Sequence, residues 1–152
     1  MELIIGGAFQ GKLEYAKAVY PEISWVDGAV CTWEELETAR GVYHFEQYIR
    51  RIIESNSEAG KQVKEQSGNR LMSVPQEKQI HMSDINELAG KLISTNPDLV
   101  VVCDEVGYGV VPIDASDRNY RESVGRVCTK LASFSGKVHR VVCGVGTVIK
   151  NA

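Results

Sequence analysis

The sequence predicts an α/β fold with a mostly parallel central sheet, and three observations carry that reading. Short apolar runs alternate with helical stripes along the chain. One run, Asp98-Leu99-Val100-Val101-Val102-Cys103, is β-branched and apolar at successive positions, as expected of a strand covered by helices on both faces. The first run, Leu3-Ile4-Ile5, ends abruptly in Gly6-Gly7 before a helical pattern, so the chain opens as strand, glycine loop, helix.

The elements follow in order. Leu13, Ala16, Val19 and Tyr20 recur at helical spacing until Pro21 stops them. Ile23 to Val26 is a second strand with Asp27-Gly28 at its carboxyl end. Thr32-Trp33-Glu34-Glu35 is a capping box, in which the Thr32 hydroxyl accepts from the Glu35 amide and the Glu35 carboxylate reaches back. The helix it starts is expected to break near Gly41 and to resume through Phe45, Tyr48, Ile49, Ile52 and Ile53, an amphipathic stripe. Over residues 55–83 the composition shifts to Ser, Asn, Gln, Lys and Glu, which predicts a mobile polar excursion rather than a second domain. Ser83 or Asp84 caps a helix carrying Ile85, Leu88, Leu92 and Ile93, ended by Asn96-Pro97. After the 98–103 strand, Tyr120, Val124, Val127, Leu131 and Phe134 form a further helix that Gly136 stops. Val138 to Cys143 is a strand, and Gly144 to Ile149 a return strand at the edge.

The 152 residues are expected to form one domain, with a core large enough to need no disulfide or metal. With 17 basic against 20 acidic side chains and a pI near 5.6, the chain lacks the basic face that nucleic-acid backbone binding requires. No apolar run approaches the roughly 20 residues that span a bilayer. The first residues lack the basic and apolar regions of a secretory signal, so a cytoplasmic protein is expected. Cys31, Cys103, Cys128 and Cys143 have no C-x-x-C spacing and read as small hydrophobes.

Chemistry concentrates at the first loop. Gly6-Gly7-Ala8-Phe9-Gln10-Gly11-Lys12 satisfies G-x-x-x-x-G-K, the first seven positions of a P-loop. Glycines let backbone amides curl around a phosphate, the following helix offers its positive end, and the lysine neutralises β/γ charge. The eighth position is Leu13, where a magnesium-ligating hydroxyl is usual. A carboxylate and water must then hold magnesium, or the loop binds phosphate without efficient transfer. Asp27, at a strand end, is the candidate metal carboxylate, and a turn-forming Asp-Gly is the competing reading. Glu105 is likewise either a magnesium ligand or general base, or a solvated loop acid.

The stretch Asp104-Glu105-Val106-Gly107-Tyr108-Gly109-Val110-Val111-Pro112 resembles the N-E-V-G-x-G-[IV]-V-P signature of the adenosylcobinamide kinase / adenosylcobinamide-phosphate guanylyltransferase family of cobalamin biosynthesis. Tyr120-Arg121-Glu122-Ser123-Val124-Gly125-Arg126-Val127 resembles that family's R-[FY]-R-[DE]-x-x-G-R-V-N-Q helix, Gly144 to Lys150 its closing segment, and Gly6-Gly7-Ala8 with Gly11-Lys12 its G-G-A-R-S-G-K-S loop. The resemblance implies a three-layer, RecA-like P-loop fold and a homo-oligomer, a trimer. It implies a kinase that transfers the γ-phosphate of ATP or GTP to the aminopropanol hydroxyl of adenosylcobinamide, and a guanylyl transfer through a histidine. Carried over by residue, Gly6, Gly7, Ala8, Phe9, Gln10, Gly11, Lys12 and Leu13 would hold the nucleotide, Lys12 and Glu105 would be catalytic, and Asp27 would hold Mg2+. The partners would be a nucleoside triphosphate and a corrinoid. Arg121 and Arg126 are the basic positions of the helix, for phosphate contact or for the surface.

The departures are specific. The loop serines are Gln10 and Leu13, the signature asparagine is Asp104, and the N-Q after G-R-V is Cys128-Thr129. The family's nucleotide-accepting histidine lies between the P-loop helix and the acidic strand, where residues 13 to 26 hold none; His44, His81 and His139 lie elsewhere. These departures favour two readings: a shortened kinase without guanylyl transfer, or a catalytically reduced relative that binds nucleotide or corrinoid as a regulatory or assembly subunit.

Overall fold

A computed structural model of the protein describes residues 1–65, 85–107, 109 and 112–152. In chain order the elements are β1 (Glu2–Gly6), α1 (Lys12–Val19), β2 (Trp25–Asp27), α2 (Trp33–Thr38), β3 (Gly41–Tyr43), α3 (Phe45–Glu65), α4 (Ile85–Thr95), β4 (Val100–Asp104), α5 (Ala115–Phe134), β5 (Lys137–Val142) and β6 (Val145–Asn151). The sheet order is β2-β3-β4-β1-β5-β6, parallel throughout except for the antiparallel β5–β6 pair.

Successive residues of β1 and β4 point to opposite faces, and both faces are covered. Leu3, Val101 and Cys103 pack with buried residues of α2 to α5, including Leu36, Ile49, Leu92 and Leu131. Ile4, Val100 and Val102 pack with Ala16 of α1 and Val141. The layers are therefore helix, sheet, helix, in agreement with the three-layer P-loop class. The uninterrupted apolar run of β4 follows from this burial on both sides.

Local chemistry sets the helix ends. The Thr32 capping box forms, with the Glu35 amide donating to Thr32 Oγ1 at 3.2 Å and the Thr32 amide donating to Glu35 Oε2 at 2.8 Å. Asp114 caps α5 by accepting from the Ser116 amide at 2.7 Å. Asn96 closes α4 and reaches across to α2, its Nδ2 donating to the carbonyls of Leu36 at 3.0 Å and Ala39 at 2.8 Å.

Two expectations are corrected. The segment read as a helix break near Gly41 is a strand, β3, inserted between β2 and β4. Three residues are too few to show a period, and the strand is held by tertiary fit: Val42 is fully buried and Gly41 lies against the Trp25 ring, 2.5 Å from where a Cβ would sit. The first part of the polar excursion expected over 55–83 is helix, because α3 continues through Glu65. A polar composition does not by itself end a helix whose first turns are amphipathic. The remainder of that excursion, with Ser83 and Asp84, lies outside the described residues.

The connection from β1 passes through α1 on one face, and that from β4 through α5 on the other. Where adjacent parallel strands send their helices to opposite faces, a crevice opens at their carboxyl ends. Here that crevice lies beyond Gly6 and Asp104, which are paired in register.

Candidate functional site

The glycine loop fills this crevice. Gly6 must lack a side chain, since a Cβ would lie 2.3 Å from the Val141 carbonyl oxygen. Gly11 caps α1 in the left-handed region, φ 76°, so that Lys12 is the first helical residue. Gln10 fastens the loop to the β5–β6 turn: its Oε1 accepts from the Cys143 amide at 2.7 Å and its carbonyl from the Gly144 amide at 2.8 Å. Ala8 to Glu14 line a cleft of about 750 Å³, closed on its other side by Tyr43, His44, Glu46 and Asp104. Phe9, at φ 58°, stands fully exposed at the loop tip.

Lys12 is buried, 7% exposed, and its ammonium is held between two oxygens. Nζ donates to the Gly7 carbonyl at 2.7 Å and lies 2.5 Å from Asp104 Oδ1. A buried cation requires such a partner, because uncompensated charge in a desolvated place costs several kcal/mol. The acid at the end of β4 thus neutralises the loop lysine directly.

Behind Asp104 stands Glu46, in the first turn of α3 and 3% exposed. Its Oε2 accepts from the Asp104 amide at 3.0 Å. Burial, with the Asp104 charge beside it, raises the Glu46 pKa despite that hydrogen bond. Sequence patterning offers no signal for Glu46, since an acid in a first helical turn reads as favourable to the helix dipole. Only the tertiary approach of α3 to the end of β4 brings it in.

Asp27 does not line the cleft wall. Its Oδ1 accepts from the Ala29 amide at 2.9 Å and lies 3.1 Å from His44 Nδ1, with the Tyr43 hydroxyl also donating to it. Burial works to raise its pKa, but these hydrogen bonds prevail and hold it below the usual aspartate value. The turn-forming and partnered roles of Asp27 therefore coexist. His44, in the left-handed region at φ 51°, faces the cleft. No group of three or more His, Cys, Asp or Glu side chains that could hold a metal ion occurs among the described residues. Of the acids that line the cleft, Asp104 lies against the lysine that the loop presents.

Glu105 faces a second, smaller cavity of about 360 Å³, together with Ile5, Val106, Gly107, Val124, Gly125 and Cys128; Asp104 lines both cavities. Its amide donates to the Gly6 carbonyl at 2.9 Å, and Arg140 Nε and Nη2 each lie 3.4 Å from its Oε2. Arg121 donates to the Gly107 carbonyl and so ties α5 to the loop after β4. Arg126 pairs with Glu122 at 2.5 Å on the exposed surface. His139 is buried away from both cavities, bonded to the Tyr15 hydroxyl at 2.8 Å and 3.4 Å from Glu2 Oε2. His81 lies outside the described residues. The structure thus gathers Ala8 to Leu13 and Lys12 around one cleft, sets Glu105 in its neighbour, and joins the two through Asp104.

Comparison with known proteins gives the following. A family model described as cobinamide kinase / cobinamide phosphate guanyltransferase matches residues 47–149. The bifunctional adenosylcobalamin biosynthesis proteins CobU of Salmonella typhimurium and of Escherichia coli K12 are each 42% identical to this chain over 52 residues. That stretch is 34% of this chain and 29% of each relative's length. The family match begins after the glycine loop, Asp27 and Glu46, so those residues are observed independently of it, whereas Asp104 lies within it.

Proposed function

The chain belongs to the cobinamide kinase / cobinamide phosphate guanyltransferase family, and on that premise we propose that it is the kinase, transferring the γ-phosphate of ATP or GTP to the hydroxyl of adenosylcobinamide in cobalamin biosynthesis. The observation that carries this reading is the Lys12 ammonium, held between the Gly7 carbonyl and Asp104 at the base of a cleft that the loop itself lines. An incoming phosphate offers the lysine a stronger anionic partner, and the loop amides and the α1 N-terminus offer it fixed donors. Little covalent chemistry is asked of the protein in phosphoryl transfer, so positioning and charge stabilisation carry it.

In this reading Lys12 balances charge on the transferred phosphoryl, and Glu105 serves the acceptor hydroxyl. Asp104 would be the carboxylate that helps hold a magnesium ion, which would supply charge neutralisation on the triphosphate, while Asp27 acts one step back, fixing His44. The proposal is confined to phosphoryl transfer, because residues 13 to 26 hold no histidine to carry a guanylyl group.

A regulatory or assembly subunit that binds nucleotide or corrinoid is the second reading, and Leu13 is the residue that favours it. Single-turnover transfer separates the two. Excess protein mixed with γ-labelled ATP or GTP and adenosylcobinamide should move the label onto the corrinoid within one turnover. Label that stays on the nucleotide while binding is intact selects the second reading.

A further inference from the structure

Two cavities meet at Asp104. The larger holds the glycine loop and Lys12; the smaller lies on the α5 side of the sheet and is walled by Ile5, Val106, Val124, Gly125 and Cys128, with Glu105 at its polar edge. A second observation makes the smaller cavity more than a packing gap. Gly125 sits within α5, where glycine is disfavoured against alanine. The usual structural reasons for a glycine do not apply there. Its φ lies outside the left-handed region, and a Cβ added to it would meet nothing within 4 Å. Nothing among the described residues requires the glycine, yet it lies in the wall of a cavity that contains a carboxylate.

We propose that this cavity seats the hydroxyl-bearing arm of the phosphoryl acceptor, with Gly125 providing the room and Glu105 receiving the proton. This rests on the kinase reading above. The apolar walls select a short aliphatic arm, and the volume of about 360 Å³ admits an arm and leaves the body of a large substrate outside. Arg140 orients the carboxylate through Oε2. In the step itself the acceptor O–H proton passes to Glu105 as its oxygen forms a bond to the γ-phosphorus of the nucleoside triphosphate. The bond from that phosphorus to the β–γ bridging oxygen breaks, and the nucleoside diphosphate leaves with the electron pair.

The experiment is equilibrium titration of the protein with cobinamide alone, read by the corrin absorbance, for wild type, Gly125→Leu and Cys128→Met. Circular dichroism melting checks that each variant folds, and Cys128→Met fills the same wall from the next turn of α5 should Gly125→Leu not fold. Each folded variant should bind cobinamide at least about tenfold more weakly, the scale on which a displaced aliphatic contact acts. Its nucleotide affinity should stay within twofold of wild type. Unchanged cobinamide affinity in a folded variant overturns the proposal, and so does a wild-type protein that binds no cobinamide. Titration with ATP and GTP runs in parallel: no nucleotide binding by wild type defeats the kinase reading and the acceptor role with it, whereas intact nucleotide binding with unchanged cobinamide affinity overturns the cavity assignment alone.

Discussion

Lys12, Asp104 and Glu46 are linked by two contacts: ammonium to carboxylate at 2.5 Å, and the Asp104 backbone amide to a second, buried carboxylate at 3.0 Å. The second carboxylate has a testable cost. Burial raises the Glu46 pKa above the usual glutamate value near 4.5. The folded state then holds that proton more tightly than the unfolded chain does. Stability contributed by the protonated form is present below about pH 4.5 and is lost as pH rises through the raised value. Glu46→Gln keeps an acceptor oxygen for the Asp104 amide and removes the ionisation. Relative to wild type, its melting temperature should therefore improve between about pH 4 and pH 7. A difference that stays constant across that range would show that Glu46 ionises as easily in the folded protein as in the unfolded one. The glycine loop with Lys12 was legible from spacing, because a P-loop is a local motif, whereas the acid singled out for the metal, Asp27, lies off the cleft wall and Asp104 lines it. Glu46 was not legible, because its function depends on where α3 meets β4, and no short-range pattern encodes that distance.

Among the elements, those with chemical punctuation could be read and those without it could not. Pro21 ends α1, the Thr32 box starts α2, and Asn96-Pro97 ends α4 close to where the residues indicate. The Thr32 cap satisfies amides that would otherwise be orphaned, so Thr32→Ala should cost about 1 kcal/mol in denaturant unfolding. A cost near zero would mean that α2 is held by Trp33 and Leu36 packing alone. β3 escaped the reading because Gly41-Val42-Tyr43 offers neither period nor cap. It exists because the sheet leaves a slot between β2 and β4 and because Gly41 accepts the Trp25 ring at close range. The extension of α3 to Glu65 was hidden for a related reason, since a polar composition describes a solvated helix face as well as it describes a loop.

Across the whole molecule, the order β2-β3-β4-β1-β5-β6 places the ends of β1 and β4 side by side and sends their helices to opposite faces. A glycine loop and a signature acid far apart in the chain thereby share one end of the sheet. The family match over residues 47–149 and the glycine loop before it are then two lines that converge on Asp104. On the proposed function this convergence makes a nucleotide site governed by Lys12. Isothermal titration of wild type and Lys12→Ala with ATP and with GTP, in the presence of magnesium, tests it most directly. Wild type should bind at least one of the two at micromolar to millimolar concentration, and Lys12→Ala should weaken that binding at least about tenfold, the loss of one charge-assisted contact. Equal binding by the two proteins, or no binding of either nucleotide by wild type at millimolar concentration, would contradict it.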